Sequence, residues 1–332
     1  MRKAAGKKIY GFVLVASVLS FVRLAETQQS GKIPRIGILF TTTPALTAHL
    51  LEVFKDGMRK FGNVEGKNFI IEPRYAETKD QQVPVLAAEL VRLKVDVIVA
   101  STNTAIEAVR QATQTIPIVM PNGTDPVGAG FVASLARPGG NVTGLSAYPP
   151  EVNGKRIEIL REIVPNLSRV ALLWNPDAPG SVLNLKETDA TARFYRLRIE
   201  SLEARSSSSL DSAFQAMTKE RADALIVLPG QPLLYAKRKQ IAELTSKIRL
   251  PAIYPLVEYV EAGGLMSYGT DLVTTWRRAA TYVDSILKGA KPAELPVERP
   301  MRAYFIINLK AAREIGLTIP PEVLIRADKV FK

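Results

Sequence analysis

The chain of 332 residues contains no cysteine and only one histidine. Disulfide bonds, thiol nucleophiles and zinc–thiolate sites are therefore excluded. No serine lies in the pattern G-x-S-x-G, and the phosphate-binding pattern G-x-x-x-x-G-K-[ST] is absent. His49 is expected on the first turn of a helix as a surface residue rather than a general base. We expect no catalytic residue, no metal and no cofactor.

Long apolar runs are also scarce, and the one that stands out covers residues 9–22. Basic residues precede it, and small and polar residues follow it, which is the order typical of a secretory signal. The run is shorter than the roughly 20 residues that a membrane-spanning helix needs. We predict a signal peptide over residues 1–29, with the cleavage position left open, and a periplasmic protein. Because no cysteine follows the run, attachment to lipid through an N-terminal cysteine is excluded.

The formal net charge of +12 does not by itself predict a nucleic-acid partner. The basic residues are spread along the chain, and the clusters at 237–240 and 277–278 lack interleaved aromatic or glycine residues. They are typical of solvated helix surfaces. We expect no nucleic-acid partner and no membrane-spanning module.

The chain from residue 35 onward alternates between short apolar runs and amphipathic segments, which predicts an α/β fold. Five strands are expected by residue 146, and the pattern then starts again after a Pro-rich linker at 147–150. A long helix is predicted over 272–287, and a last strand running into a helix over 301–317. We predict two Rossmann-like lobes, the first made of 32–146 plus about 270–298 and the second of 147–269 plus about 299–332.

The stretch 116–146 contains an apolar strand, a polar loop and a segment in which a helix beginning near Val127 is expected. Residues 128–133 match G-x-G-x-x-A, a pattern found in dinucleotide-binding turns. Here, however, a polar loop separates the strand from the glycines, and the first strand-to-helix turn of the lobe has no glycine. We interpret these glycines as helix-packing residues.

Polar or aromatic side chains occur at or just after the ends of the predicted strands. Each alone is typical of capping or turn chemistry, but together they suit a small zwitterionic or amide-bearing ligand in an otherwise apolar cleft. The predicted ligand-binding residues are Thr42, Thr43, Thr102, Asn103, Thr104, Asn122, Thr124, Asp125, Trp174, Gly230 and Tyr254.

Several segments resemble the tryptophan/tyrosine-binding family of ABC transporter substrate-binding proteins. They are RIGIL at 35–39, DPVGAGFVASLARPGGNVTGLS at 125–146, WNP at 174–176, YVDSILKGAKPAELPVE at 282–298 and INLKAAREIGLTIPPEVLIRAD at 307–328. The resemblance implies a type I periplasmic-binding fold, with two Rossmann-like lobes joined by a multi-strand hinge. It also implies capture of a small-molecule solute and delivery to an ABC permease with its ATPase. We expect a monomer.

The resemblance also implies roles for particular residues. Asp125 would meet a ligand amino group, residues 102–104 would meet a carboxylate, and Trp174 would cover the ligand. The Asn103 side chain departs from the small residue or proline expected there, and Pro229-Gly230-Gln231 replaces the Asp-Asn usual for the family. For Asp125, capping of the following helix is an equal alternative.

The predicted function is therefore capture of a small polar or aromatic, amino-acid-like solute through cleft closure, without covalent chemistry. The alternative is an exported ligand-sensing module that signals to a membrane receptor. An enzyme is the third possibility.

Overall fold

A computed structural model describes residues 32–147, 150–178, 180–300 and 302–332. The predicted signal peptide lies outside the described residues. Residues 34–332 form one compact unit. In the part of the chain that the structure describes, no helix is both long and apolar enough to cross a membrane.

The first half of this unit forms a five-stranded parallel sheet with the strand order β2-β1-β3-β4-β5. Strands β3 and β4 are buried along their whole length, as expected for central strands covered on both faces, and the edge strand β5 is buried as well. The elements are β1 (Arg35–Phe40), α1 (Pro44–Arg59), β2 (Ile70–Tyr75), α2 (Val83–Arg92), β3 (Val97–Ala100), α3 (Asn103–Ala112), β4 (Ile118–Gly123) and β5 (Val142–Ser146).

The second half builds most of a seven-stranded sheet with the order β12-β11-β10-β9-β8-β6-β7. Only the pairing of β10 with β11 is antiparallel. The elements up to the fifth strand of this sheet are α4 (Pro150–Ile163), β6 (Arg169–Trp174), α5 (Ser181–Phe194), β7 (Arg198–Glu203), α6 (Ser207–Lys219), β8 (Ala224–Val227), α7 (Pro232–Ala236), α8 (Arg238–Lys247), β9 (Ala252–Tyr254), α9 (Val257–Glu261) and β10 (Met266–Gly269).

After β10 the chain leaves the seven-stranded sheet and later returns to it. Helix α10 (Leu272–Leu287) packs against α1, β4 and β5 of the five-stranded sheet. The chain then completes the seven-stranded sheet with β11 (Tyr304–Asn308), α11 (Leu309–Glu314), α12 (Pro321–Leu324) and β12 (Lys329–Phe331). The chain thus passes between the two sheets after β5, after β10 and before β11.

The predicted alternation of strands and helices is confirmed, and the helix predicted over 272–287 has the same bounds in the structure. Strand β12 was not predicted, because three residues near the end of the chain are too few to show a period-two pattern.

The helix predicted near Val127 is wrong. Residues 126–130 form isolated turns, with the Ala129 N–H bonded to the Asp125 carbonyl at 2.9 Å and the Gly130 N–H bonded to the Val127 carbonyl at 2.9 Å. Asp125 and Gly130 adopt left-handed φ angles of 41° and 70°, which cannot belong to a right-handed helix. Glycine lowers helix propensity further, so the segment turns back and buries Phe131 in the core.

Candidate functional site

The strand order of the five-stranded sheet brings three polar loops to one edge. Strands β1, β3 and β4 are neighbours in the sheet and run parallel, so the residues that follow them meet at the carboxyl edge. Thr42 follows β1, Thr102 follows β3 and Thr124 follows β4. The chain direction of the crossovers reverses between β1 and β3, which is where ligands bind in open α/β sheets.

A pocket with an empty volume of about 600 Å³ lies at this edge and is walled on its other side by loops and helices of the seven-stranded sheet. Its described lining consists of hydroxyl, amide, aromatic and aliphatic residues and glycine. They are Phe40, Thr41, Thr42, Thr47, Leu50, Ser101, Thr102, Asn103, Asn122, Thr124, Gly230, Gln231, Pro232, Tyr235, Leu256, Leu272 and Trp276. An apolar pocket with a few converging polar groups is the usual form of a small-molecule site.

Aromatic rings form one wall of the pocket. The Phe40 ring stacks on the Trp276 ring with centroids 5.0 Å apart, and on the Tyr75 ring on its other side at 5.2 Å. With its amide oriented to satisfy its neighbours, Asn122 accepts a hydrogen bond from Trp276 Nε1 at 3.1 Å and donates one to Thr275 Oγ1 at 2.7 Å. The indole is therefore held by stacking and by a hydrogen bond, and the aromatic wall is rigid.

Asn103 ties two of the polar loops together. Its Nδ2 donates to the Thr124 carbonyl at 2.8 Å, and its Oδ1 accepts from the Thr124 N–H at 2.8 Å. The hydroxyl of Thr102 caps α3 by accepting from the Ala105 N–H at 3.3 Å. The Asn103 amide therefore holds the loop after β4 against the start of α3.

The loop after β8 and the start of α7 supply the opposite wall. Gln231 accepts a hydrogen bond from the Asn175 N–H at 2.9 Å and donates to the Pro229 carbonyl at 3.2 Å, so both ends of its amide are engaged within the wall. Tyr235 lies one helical turn further on and is 9% exposed. Its hydroxyl has no hydrogen-bond partner among the described residues.

Two glycines let the walls approach closely. A Cβ atom added to Gly230 would lie 3.1 Å from Thr124 Oγ1, and one added to Gly180 would lie 3.2 Å from Asn103 Nδ2. Both glycines also have left-handed φ angles, of 75° and 83°. A larger residue at either position would meet both steric and conformational strain.

Of the predicted ligand-binding residues, six line the pocket and five do not. The six are Thr42, Thr102, Asn103, Asn122, Thr124 and Gly230. The five outside the lining are Thr43, Thr104, Asp125, Trp174 and Tyr254, whose proposed ligand contacts stay predictions.

Trp174 and Tyr254 are engaged in the core of the seven-stranded sheet. Trp174 is buried, and its Nε1 donates to Ser201 Oγ at 2.8 Å. Tyr254 is fully buried, stacks on Tyr259 with centroids 4.9 Å apart, and shares a hydrogen bond with Thr245 at 3.0 Å. Both are the last residues of their strands, and the alternation of side chains along a strand directs each to a packed face.

Asp125 caps a turn. Its Oδ1 accepts from the Gly128 N–H at 3.1 Å, in the loop that was expected to form a helix. Thr43 occupies the position before α1 without making a side-chain cap, whereas its carbonyl accepts from Thr47 Oγ1 at 3.1 Å. Thr104 lies on the first turn of α3 and is half-buried.

The sequence patterns did not single out the apolar and aromatic part of the lining. Phe40 is the last residue of a strand and carries no polar signal, while Leu272 and Trp276 come from a helix far along the chain. Tyr235 sits in the first turns after the loop that follows β8, so its position after a buried strand was the one signal available.

Two titratable groups lie beside the pocket at the contact between α1 and α9. His49 Nε2 and Glu258 Oε1 are 3.9 Å apart. Burial raises the pKa of Glu258 to about 7, with smaller contributions from Glu261 and Asp271. Burial lowers the pKa of His49, and Arg238 lowers it further. With the pKa of Glu258 raised and that of His49 lowered, His49 loses its proton before Glu258 becomes charged as the pH rises. The two groups are therefore not charged together, and the contact is not an ion pair.

The described residues contain no group of three or more histidine, aspartate or glutamate side chains placed to hold a metal ion. The pocket lining offers hydroxyl and amide groups and an aromatic wall.

Comparison with known proteins decides the family. The family model described as ABC transporter substrate binding protein matches residues 37–331. The chain belongs to this family. Its members are solute-binding proteins, so the predicted family is confirmed.

Two relatives show how similar this substrate-binding protein is to characterised ones. A tyrosine-binding protein of Clostridioides difficile (strain R20291) is 26% identical over 247 residues, covering 74% of this chain and 70% of the relative. The crystal structure of an ABC domain in complex with L-Trp from Streptococcus pneumonia is 28% identical with a TM-score of 0.84, covering 90% of this chain and 100% of that one.

A more distant structure has the same fold. The leucine binding protein LivK of Thermotoga maritima is 13% identical with a TM-score of 0.59, covering 85% of this chain and 87% of that chain. The predicted fold class is confirmed: the substrate-binding protein has the type I periplasmic-binding fold, with its two sheets as the two lobes.

Proposed function

We propose that the chain is the exported solute-binding component of an ABC importer. It captures a small aromatic, amino-acid-like solute between its two lobes and delivers that solute to a permease with its ATPase. The observation that carries the proposal is the pocket itself, which takes its lining from the carboxyl edge of one sheet and from the loops of the other. The family match and the ligands named for the two relatives support the choice of solute.

The proposed site divides the work between the lobes. Thr41, Thr42, Ser101 and Thr102 surround the start of α3, where helix N–H groups and hydroxyls favour a carboxylate. Trp276, stacked on Phe40 in the pocket wall, offers an aromatic surface to a ring. We propose Thr42, Thr102, Asn103, Asn122, Thr124 and Gly230 as the predicted residues that face the solute.

The three passages of the chain between the two sheets support a division into two lobes. We propose residues 32–146 with about 270–298 as one lobe and 147–269 with about 299–332 as the other, moving about the three connecting segments. Closure on the solute would then give the permease a distinct shape to recognise. We propose that the protein is exported to the periplasm and that the predicted signal peptide is cleaved on export.

Isothermal titration calorimetry with L-tryptophan and L-tyrosine tests the proposal, with Thr42→Val and Thr43→Val as a matched pair. Thr42 lines the pocket and its neighbour Thr43 does not. Loss of a hydroxyl that bonds a charged carboxylate is expected to weaken binding by about 1.5–3 kcal/mol, or roughly 10- to 150-fold, in Thr42→Val alone. Absence of binding to the wild-type chain, or equal losses in the two variants, would count against the proposed site.

A further inference from the structure

Resting on the proposed function, we propose that Tyr235 is a specificity-determining residue: its hydroxyl bonds the polar group on the ring of the solute, so the site favours hydroxyl-bearing aromatic solutes over plain phenyl ones.

The geometry of Tyr235 carries the inference. The residue lines the pocket and is about nine-tenths buried, yet its hydroxyl has no partner among the described residues. Most buried polar atoms in proteins are hydrogen-bonded, and an unpaired one is costly. An atom of this kind at a pocket wall is ready to bond a group that enters the pocket.

The surroundings of Tyr235 hold its ring in place. Its backbone N–H donates to the Gln231 carbonyl at 2.9 Å, and the Arg238 guanidinium lies over its ring, 4.7 Å from the centroid. The ring meets that of Tyr259 edge to face, with centroids 6.5 Å apart. Because Arg238 and Tyr259 both pack against the ring, the hydroxyl cannot easily turn away to find another partner.

The other wall indicates which part of the solute reaches Tyr235. The hydroxyl cluster and the start of α3 lie on the five-stranded sheet and suit the carboxylate end. Around Tyr235 the lining residues Pro232 and Leu256 are apolar, and the Gln231 amide is engaged within the wall. The far end of the solute, which is the substituted ring, therefore meets Tyr235.

The chemistry favours a neutral phenol that donates or accepts one hydrogen bond. Burial raises the pKa of Tyr235, and Glu258 raises it further, so the hydroxyl keeps its proton at physiological pH. A site built to bond a solute hydroxyl rejects the analogue that lacks it, because the protein group is then left unpaired.

The test is a cycle of two solutes and two variants by calorimetry on the full mature chain. L-tyrosine and L-phenylalanine differ by one ring hydroxyl, and Tyr235→Phe removes the corresponding hydroxyl of the protein. The wild-type chain is expected to bind L-tyrosine about tenfold more tightly than L-phenylalanine. In Tyr235→Phe the ratio is expected to fall to within about threefold.

Tyr259→Phe is the matched control, since Tyr259 is a buried tyrosine beside Tyr235 that does not line the pocket. It should keep the wild-type ratio. The melting temperature of unliganded Tyr235→Phe should equal or exceed that of the wild type, because the variant loses no hydrogen bond within the described residues.

The outcomes separate the two proposals. Equal affinities of the wild-type chain for both solutes would mean that water satisfies the hydroxyl, and would overturn the inference alone. A ratio that survives in Tyr235→Phe would also overturn it. If neither solute binds and L-tryptophan does not bind either, the proposed solute class is wrong and the inference falls with it.

Discussion

Glu258 is a carboxylate that lies buried beside the pocket instead of at the surface. It is 9% exposed, its Oε2 has no hydrogen-bond partner among the described residues, and its pKa is raised to about 7. Burial is the main cause of the raised pKa, the acidic Glu261 and Asp271 raise it further, and Arg238 opposes them. Because the pKa in the folded state exceeds the ordinary value of 4.5, the folded chain binds an extra proton between these two pH values.

The raised pKa of Glu258 makes the free energy of unfolding depend on pH. Between pH 4.5 and about 7 the folded state holds the proton that the unfolded state has released, so the free energy of unfolding falls as pH rises through this window. The expected loss from this group is on the order of 3 kcal/mol. Glu258→Gln should abolish this part of the pH dependence and gain stability relative to the wild type at pH 8.

Urea unfolding at pH 5 and pH 8 measures this difference. The control is Glu261→Gln, a residue on the same helix whose side chain is more exposed. Its free energy of unfolding should change with pH almost as in the wild type. Parallel pH profiles for the wild type and Glu258→Gln would contradict the assignment of the raised pKa to Glu258.

The connection between α3 and the loop after β4 depends on one amide side chain. Asn103 bonds both the N–H and the carbonyl of Thr124, a pair that no shorter or apolar side chain can satisfy. Asn103→Ala leaves both backbone groups in a buried site without these bonds, which should cost about 2–4 kcal/mol. Solute affinity should fall as well, because Thr124 and Gly230 lie against each other at the pocket.

Gln111→Ala is the matched control for this prediction. Gln111 lies on the same helix and is exposed, and its side-chain Nε2 donates to Glu107 Oε1 at 2.9 Å. Its removal should change the free energy of unfolding by less than about 0.5 kcal/mol. Urea unfolding and calorimetry measure both variants, and equal losses would contradict the proposed role of Asn103.

The positions of most helices and strands could be predicted from local patterns, because buried parallel strands are apolar along their length and helices repeat every 3.6 residues. The polar edge at Thr42, Thr102 and Thr124 could be predicted for the same reason, since parallel strands end together.

Two features of the site could not be predicted from such patterns. The direction of a strand's last side chain depends on register and twist, which the sequence does not show. The sequence predicts Tyr254 at the cleft, and in the structure its side chain packs in the core. Trp276 enters the pocket from a helix that returns from another part of the chain, a contact with no local signature. The helix expected near Val127 does not form, because the left-handed φ angles of Asp125 and Gly130 are incompatible with a right-handed helix.

At the level of the whole molecule, three chain passages connect two sheets whose facing edges enclose the pocket. The contacts of Gly180 and Gly230 with Thr124 leave little room between the two walls. We propose that the walls separate to admit a solute and then close on it.

A disulfide bond across the cleft would hold the two walls together and block this motion. A Cβ atom built at Gly180 would lie 3.6 Å from Thr124 Cβ, within the range for a disulfide bond. The chain has no cysteine of its own, so the double variant Gly180→Cys/Thr124→Cys can form only one disulfide bond within the chain, and the oxidised monomer is separated from linked dimers before use. The reduced form of the same variant controls for the two substitutions themselves.

The measurement is the rate of L-tyrosine binding, followed in a stopped-flow instrument through tryptophan fluorescence, to which Trp276 at the pocket wall contributes. The reduced double variant should bind L-tyrosine more weakly than the wild type, because Gly180 has a left-handed φ angle and Thr124 lines the pocket. The oxidised variant, prepared without solute, should not bind. Reduction of the oxidised sample should restore binding. Equal binding rates for the oxidised and reduced forms would contradict closure of the cleft as the mechanism of capture.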